Sequence, residues 1–255
     1  MWAFYYFLTI FLQSHSYYKS VIEPEFYLLD CARKVDSMLE SLRGGFKRVI
    51  APIAKLLVRL GVSANAVTVV GTLAVVVTAF VTAFTGQLVA GTILLTIFVL
   101  ADGLDGSVAA LTTGGTRFGA FLDSTLDRIA DWSLFMAVFI CLWRANNKNV
   151  CIWMPSIIGM SLKYAGLFTC MIALMAAFVT SYTRARGQSV SVDPKSGLIT
   201  RADRVVLLLI AMGLSGITNQ LFWLSCAMIS LAIGGIVTVV QRILEVKQGL
   251  QQKAK

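Results

Sequence analysis

Long apolar runs joined by short polar links dominate the chain. They fall at about 65–84, 88–110, 119–143, 152–180, 203–217 and 219–241. A helix needs about 20 apolar residues to cross a bilayer, where each backbone polar group must be satisfied within its own segment. The pattern predicts an all-α integral membrane protein with six transmembrane helices. Residues 38–60 (MLESLRGGFKRVIAPIAKLLVRL) read differently, because apolar positions mix with basic ones and Pro52 interrupts the run. They predict an N-terminal interfacial amphipathic helix with its cations toward anionic headgroups, or equally a simple basic anchor. Residues 1–37 are rich in aromatics and mixed in charge, as expected of an extension that is poorly ordered or precedes a native start at Met38. Its apolar part, Trp2–Leu12, is too short to span and lacks the flanks of a signal peptide. The expected organisation is an extension over 1–37, the interfacial helix over 38–60, one six-helix domain over 61–245 and a basic tail over 246–255.

Composition removes the main soluble alternative. Of the 255 residues, 57% are hydrophobic and 14% charged, against roughly 25% charged in soluble domains. The net charge is +9, but there is no water-facing body to carry a basic face, so no nucleic-acid partner is expected. The cations instead alternate by link. Arg43, Lys47, Arg48, Lys55 and Arg59 precede the first run, Arg117 lies between the second and third, and Arg184, Arg186, Lys195, Arg201 and Arg204 lie around the fourth link. Arg242, Lys247, Lys253 and Lys255 follow the last run, whereas Phe84–Gln87 and Gly216–Gln220 carry no charge and only Arg144 and Lys148 lie between the third and fourth runs. This bias predicts a multi-pass protein of the inner (plasma) membrane, surrounded by lipid, with both termini in the cytoplasm. His15 is the only histidine, and the five cysteines show no CxxC spacing. Imidazole catalysis and zinc binding are thereby disfavoured.

Acids are scarce, yet five of the 13 lie between Asp102 and Asp131. Asp102 and Asp105 are three positions apart near the end of the second run; Asp123 and Asp127 are four apart at the start of the third. Each pair shares a helix face. The short link Leu111–Phe118 makes the two helices antiparallel neighbours able to bring all four carboxylates together. Each charge near hydrocarbon costs on the order of 2.5–3.5 kcal/mol, so the cluster requires protons or cations. Carboxylates without His or Cys select hard ions, Mg²⁺, Mn²⁺ or Ca²⁺. Two such ions would balance the cluster and polarise a phosphoryl group. A carboxylate-lined transporter remains a rival on these residues alone. Asp131, one turn further on, has no assigned role.

The series Asp102-xx-Asp105-Gly106-xx-Ala109-Ala110-x8-Gly119-x3-Asp123-x3-Asp127 resembles the signature of the CDP-alcohol phosphotransferase family, D-xx-D-G-xx-A-R-x8-G-xxx-D-xxx-D. Every spacing agrees, and only the Arg, here Ala110, departs. The stretch Val62-Ser63-Ala64-Asn65-Ala-Val-Thr68 is similar to the family's S/T-P-N-x-x-T, and the likeness covers about 40–245. The resemblance implies six helices around a cytoplasm-facing polar cavity, a homodimer, and attack of an acceptor hydroxyl on the β-phosphate of CDP-diacylglycerol with release of CMP. It further implies two Mg²⁺ or Mn²⁺ ions on Asp102, Asp105, Asp123 and Asp127, with Asp127 as general base. Asp102, Gly106, Ala109, Gly119 and Asp123 would receive the nucleotide, and Arg117 would stand in for the missing Arg. The departure at Ala110 keeps an inactive relative in view.

A second basic cluster bears on the acceptor. Ser181-Tyr182-Thr183-Arg184-Ala185-Arg186 closes the fourth run, and Thr200-Arg201-Ala202-Asp203-Arg204 opens the fifth. Arginines at helix ends serve either as positive-inside anchors or as forks for phosphate. Within the family, the pattern resembles that of actinobacterial-type phosphatidylinositol phosphate synthases, with Thr200 standing where they have Glu. That likeness implies that Ser181, Arg184, Arg204 and Arg242 hold the phosphate of inositol 1-phosphate. Glycerol 3-phosphate, the acceptor of a phosphatidylglycerophosphate synthase, is the nearest alternative.

Overall fold

The computed structural model describes Pro52, Leu56, Val58, Arg59 and residues 61–111, 116–146, 150, 156–194 and 196–253. Only the backbone is described over 102–111 and 156–158. The extension and most of the expected interfacial helix lie outside these residues. Among the described residues six long helices follow one another: α1 (Ala64–Thr85), α2 (Leu88–Leu111), α3 (Arg117–Arg144), α4 (Ser156–Ser189), α5 (Arg201–Thr218) and α6 (Phe222–Lys253). Each contains most of one predicted run. Among the described residues, three helices are long and apolar enough to cross a membrane: Ala64–Thr85, Gly159–Ser189 and Phe222–Lys253. The described residues are helical or irregular, with no strand among them.

The chain divides into two compact units, Met1–Val67 with Gly103–Ala120, and Thr68–Asp102 with Phe121–Lys255. In the first, Ser63 Oγ accepts from the Ala66 amide at 3.3 Å and starts α1. Thr116 Oγ1 accepts from the Gly119 amide at 2.9 Å and starts α3.

The second unit is a helical bundle. Its α4 and α6 run parallel and touch through small residues, Gly166 against Ser225 and Ala176 against Gly235. A Cβ on Gly166 would lie 3.1 Å from the Ser225 Cα, so glycine is what permits this approach. Gly91 of α2 meets Thr82 of α1, and Gly216 of α5 meets Val89 of α2. The turn between α1 and α2 uses Gly86 at φ 74°, a left-handed conformation that glycine adopts freely. Phe135, Leu208, Met212, Leu224, Met228 and Leu231 form the buried centre. Outward positions such as Val70, Phe168 and Ile217 are exposed and apolar, as a lipid-facing surface requires. Several threonines within the apolar helices are satisfied locally: Thr82, Thr92, Thr169, Thr180 and Thr238 each donate to the carbonyl four residues back, whereas the buried Ser215 and Ser225 hydroxyls have no partner among the described residues.

Helix ends depart from the hydropathy boundaries. The fourth run was expected to stop at 180, yet α4 continues to Ser189; the sixth was expected to stop at 241, yet α6 continues to Lys253. At about 1.5 Å per residue, α4 and α6 are each about 50 Å long, well beyond the roughly 30 Å hydrocarbon core. Hydropathy reads where the membrane ends, whereas backbone hydrogen bonding continues into the polar segment.

Candidate active site

Everything distinctive in the second unit gathers where α4 and α6 end and α5 begins. The segment before α5 is strapped to α6. Ser196 donates its amide to Glu245 Oε2 at 2.9 Å, Leu198 to Gln241 Oε1 at 3.0 Å, and Ile199 to Thr238 Oγ1 at 3.1 Å. Thr200 then caps α5 in a capping box: its hydroxyl accepts from the Asp203 amide at 3.4 Å, and its amide donates to Asp203 Oδ2 at 2.8 Å. The position at which the family pattern has Glu therefore serves as the cap of the helix that carries Arg201 and Arg204.

Those two arginines are three positions apart and face α3. Arg201 Nη2 pairs with Asp127 Oδ1 at 2.8 Å, and its Nε donates to Asp131 Oδ1 at 3.4 Å. Arg204 Nη2 donates to Asp131 Oδ2 at 3.0 Å. Asp131 and Arg204 are buried, at 7% and 5% exposure. The Arg204 Nε is buried and has no hydrogen-bond partner among the described residues. A buried donor in this state is costly, and an anionic acceptor would satisfy it.

Two further predicted cations converge there. Arg242 is buried; its Nε donates to the Ser196 carbonyl at 3.0 Å and its Nη1 to the Thr180 carbonyl at 2.8 Å. It lies beyond the apolar part of α6, where burial and then the like charges of Arg184 and Arg204 hold its guanidinium below the usual arginine range. Arg184 is exposed and tethered to Asp193 Oδ1 at 3.2 Å. Ser181 Oγ donates to the Ala177 carbonyl at 3.2 Å. Thus Arg242 feels the charges of both Arg184 and Arg204, while it also ties α4 to the segment before α5.

Asp123 and Asp127 occupy successive turns of α3, both half-buried. Asp102, Asp105, Gly106 and Ala109 belong to the stretch of α2 whose side chains are not described. No group of three metal-ligating side chains occurs among the described residues. The donor set nevertheless fits a hard divalent ion, being all carboxylate and free of imidazole and thiolate. In the first unit, a Cβ on Gly119 would lie 3.1 Å from both Asn65 Oδ1 and Thr116 Oγ1, so glycine keeps that start of α3 clear. Arg117 is exposed at the first turn of α3.

Asp131 and Arg201 are the residues that sequence reasoning missed. The available signal was register: Asp123, Asp127 and Asp131 repeat every four positions along one face of α3. A cavity of about 420 Å³ lies elsewhere, lined by Phe84, Gln87, Arg144, Ser215 and Asn219 at the opposite helix ends, and contains none of the predicted site residues.

Several known proteins resemble this chain. A family model described as CDP-alcohol phosphatidyltransferase matches residues 61–240. The phosphatidylinositol phosphate synthase of Cutibacterium acnes is 34% identical over 221 residues, covering 84% of this chain and 100% of that protein. That of Streptomyces avermitilis is 36% identical, covering 81% of each. A crystal structure of the Mycobacterium tuberculosis phosphatidylinositol phosphate synthase with CDP-DAG bound superposes with a TM-score of 0.66 at 34% identity, covering 78% of this chain and 94% of that one. A second structure of that enzyme, in complex with manganese and citrate, gives a TM-score of 0.65 at 34% identity, with 77% and 88% covered.

Proposed function

The chain belongs to the CDP-alcohol phosphatidyltransferase family, and from that premise we propose that it joins CDP-diacylglycerol to inositol 1-phosphate, giving phosphatidylinositol phosphate and CMP. The observation that carries the acceptor is a buried Arg204 whose Nε has no partner among the described residues, with the buried Arg242 subject to the charges of Arg204 and Arg184. A neutral alcohol has no use for such a cluster, whereas a phosphate does. The activity named for the relatives of C. acnes, S. avermitilis and M. tuberculosis supports the same reading.

In this reading Asp102, Asp105, Asp123 and Asp127 hold two divalent ions, Mg²⁺ or Mn²⁺, and the manganese complex of the M. tuberculosis relative supports that choice of ion. When bound, the metal supplies Lewis-acid charge to the pyrophosphate and makes CMP a better leaving group. Gly106, Ala109 and Gly119 let the nucleotide approach the helices closely, and Arg117 replaces the guanidinium lost at Ala110. Ser181, Arg184, Arg204 and Arg242 receive the acceptor phosphate. Asp127 accepts the proton of the acceptor hydroxyl. The oxygen then forms a bond to the β-phosphorus as the bond to the bridging oxygen breaks, and the electron pair leaves with CMP. Holding both reactants is most of the protein's contribution.

The catalytic domain spans 61–245 and crosses the inner (plasma) membrane six times as a homodimer, with both termini cytoplasmic and residues 38–60 along the interface. The cation bias of the links supports this orientation. One assay tests the function: purified protein, CDP-diacylglycerol and Mg²⁺ or Mn²⁺ with inositol 1-phosphate, glycerol 3-phosphate or inositol, following CMP. Release is expected with inositol 1-phosphate and not with inositol. CMP with glycerol 3-phosphate alone would overturn the acceptor; no CMP with any alcohol, from folded protein, would overturn the transferase.

A further inference from the structure

We infer that Asp131 is the positioning residue that sets the register between the acceptor's phosphate and the general base, an inference that rests on the reading of Arg204 and Asp127 above. Four side chains form an alternating ladder between α3 and α5: Asp127, Arg201, Asp131, Arg204. Its rungs are 2.8, 3.4 and 3.0 Å. The two acids are four positions apart on α3 and the two arginines three apart on α5, so each helix presents one face. Asp131 touches both arginines. Both of its oxygens are occupied by guanidinium nitrogens.

Stability alone does not account for the arrangement. A buried ion pair roughly breaks even against well-packed apolar residues, and this one leaves the Arg204 Nε unpartnered. What the ladder does provide is fixed geometry. Asp131 holds the Arg204 guanidinium by one Nη, so that the fork is oriented while Nε stays available to an anion. Through Arg201 the same carboxylate is tied to Asp127. An alcohol whose phosphate sits on Arg204 has its hydroxyl presented to Asp127 only at one separation, which makes Asp131 a determinant of which phosphorylated alcohol reacts. The chemical class of the ligand is a phosphomonoester of a polyol.

The test uses the full-length protein and the variants Asp131→Asn and Asp131→Glu. With Mg²⁺ and saturating CDP-diacylglycerol, Asp131→Asn is expected to raise the KM for inositol 1-phosphate about ten- to a hundredfold, the usual effect of removing a group that orients a ligand-binding residue. The KM for CDP-diacylglycerol should stay within about twofold, and Asp131→Glu, which keeps the charge, should recover much of the acceptor KM. Calorimetric titration of inositol 1-phosphate without CDP-diacylglycerol gives a reading independent of turnover, and Asp131→Asn should weaken it by the same factor. An acceptor KM and affinity unchanged in Asp131→Asn, or both KM values rising together, overturns the inference. If wild-type protein binds glycerol 3-phosphate and not inositol 1-phosphate, the proposed acceptor fails, and the same comparison made with glycerol 3-phosphate still decides Asp131. Should Asp131→Asn not fold, Arg201→Gln breaks the ladder at its more exposed member, and an unchanged acceptor KM there overturns the register.

Discussion

Asp127→Asn isolates the proposed base. The substitution keeps the shape of the side chain and removes its charge and its capacity to take a proton. A positioned general base contributes about 10²–10⁴ in rate, so turnover should fall about a thousandfold, or about 4 kcal/mol of transition-state stabilisation. The structure limits the collateral damage. Arg201 loses a charged partner at 2.8 Å but retains Asp131 at 3.4 Å, and the Asn carbonyl still accepts from its guanidinium. The Asp127 side chain is 18% exposed, so the weakened pair should lower stability by about 1 kcal/mol or less. The assay is initial-rate CMP release, paired with CDP-diacylglycerol binding and a melting curve in the same detergent. The expected outcome is lost turnover with measurable CDP-diacylglycerol binding and a nearly unchanged melting temperature. Raising Mg²⁺ separates the two duties assigned to this residue, since recovery of rate at high metal would leave it a ligand alone. Turnover within tenfold of wild type would refute the base assignment.

Four other substitutions probe the remaining parts. Arg117→Ala should weaken CDP-diacylglycerol binding about tenfold, as expected for one charged hydrogen bond; unchanged affinity and activity would remove Arg117 as the substitute for the Arg absent at Ala110. Thr200→Ala deletes the cap of α5 and should lower stability by about 1 kcal/mol while raising the acceptor KM, because the first turn it holds carries Arg201 and Arg204; a normal melting temperature argues against the cap. Gly166→Ala drives a Cβ to 2.6 Å from Ser225 Oγ and 3.1 Å from its Cα, so it should destabilise by about 1–3 kcal/mol. Gly71→Ala meets nothing within 4 Å and should stabilise by up to about 1 kcal/mol; equal melting shifts for the two would discredit the α4–α6 contact.

The helices were legible because spanning runs are long, and their interruptions carry turn and cap residues such as Gly86, Thr116 and Thr200. The placement of Asp123 and Asp127 on successive turns of one helix was legible because a spacing of four means one helix face. What could not be read was pairing across the fold. Arg201 sits at a helix end with the same cationic appearance as any positive-inside anchor, and nothing local distinguishes it from Arg186. Its partner Asp131 lies 70 positions away in sequence. Arg242 was expected in the phosphate pocket, but its bonds to the Ser196 and Thr180 carbonyls, which give it a structural duty as well, depend on α4 and α6 running parallel. Composition and periodicity contain no term for that.

The ladder also explains how so many charges persist beside apolar helices. An unpaired carboxylate or guanidinium near hydrocarbon costs on the order of 2.5–3.5 kcal/mol, and four of them unpaired would cost about as much as the whole stability of a typical domain. Alternation of sign along Asp127, Arg201, Asp131 and Arg204 cancels most of that penalty without a bound ligand. The two acids match the two arginines, so Arg184 and Arg242 are the local positive excess, partly offset by Asp193 and Glu245. An arriving phosphate therefore meets a ladder whose own charges already balance, with Arg184 and Arg242 adding positive charge toward the ends of α4 and α6. That asymmetry favours one orientation of the acceptor, with its phosphate toward those helix ends and its free hydroxyl toward Asp127.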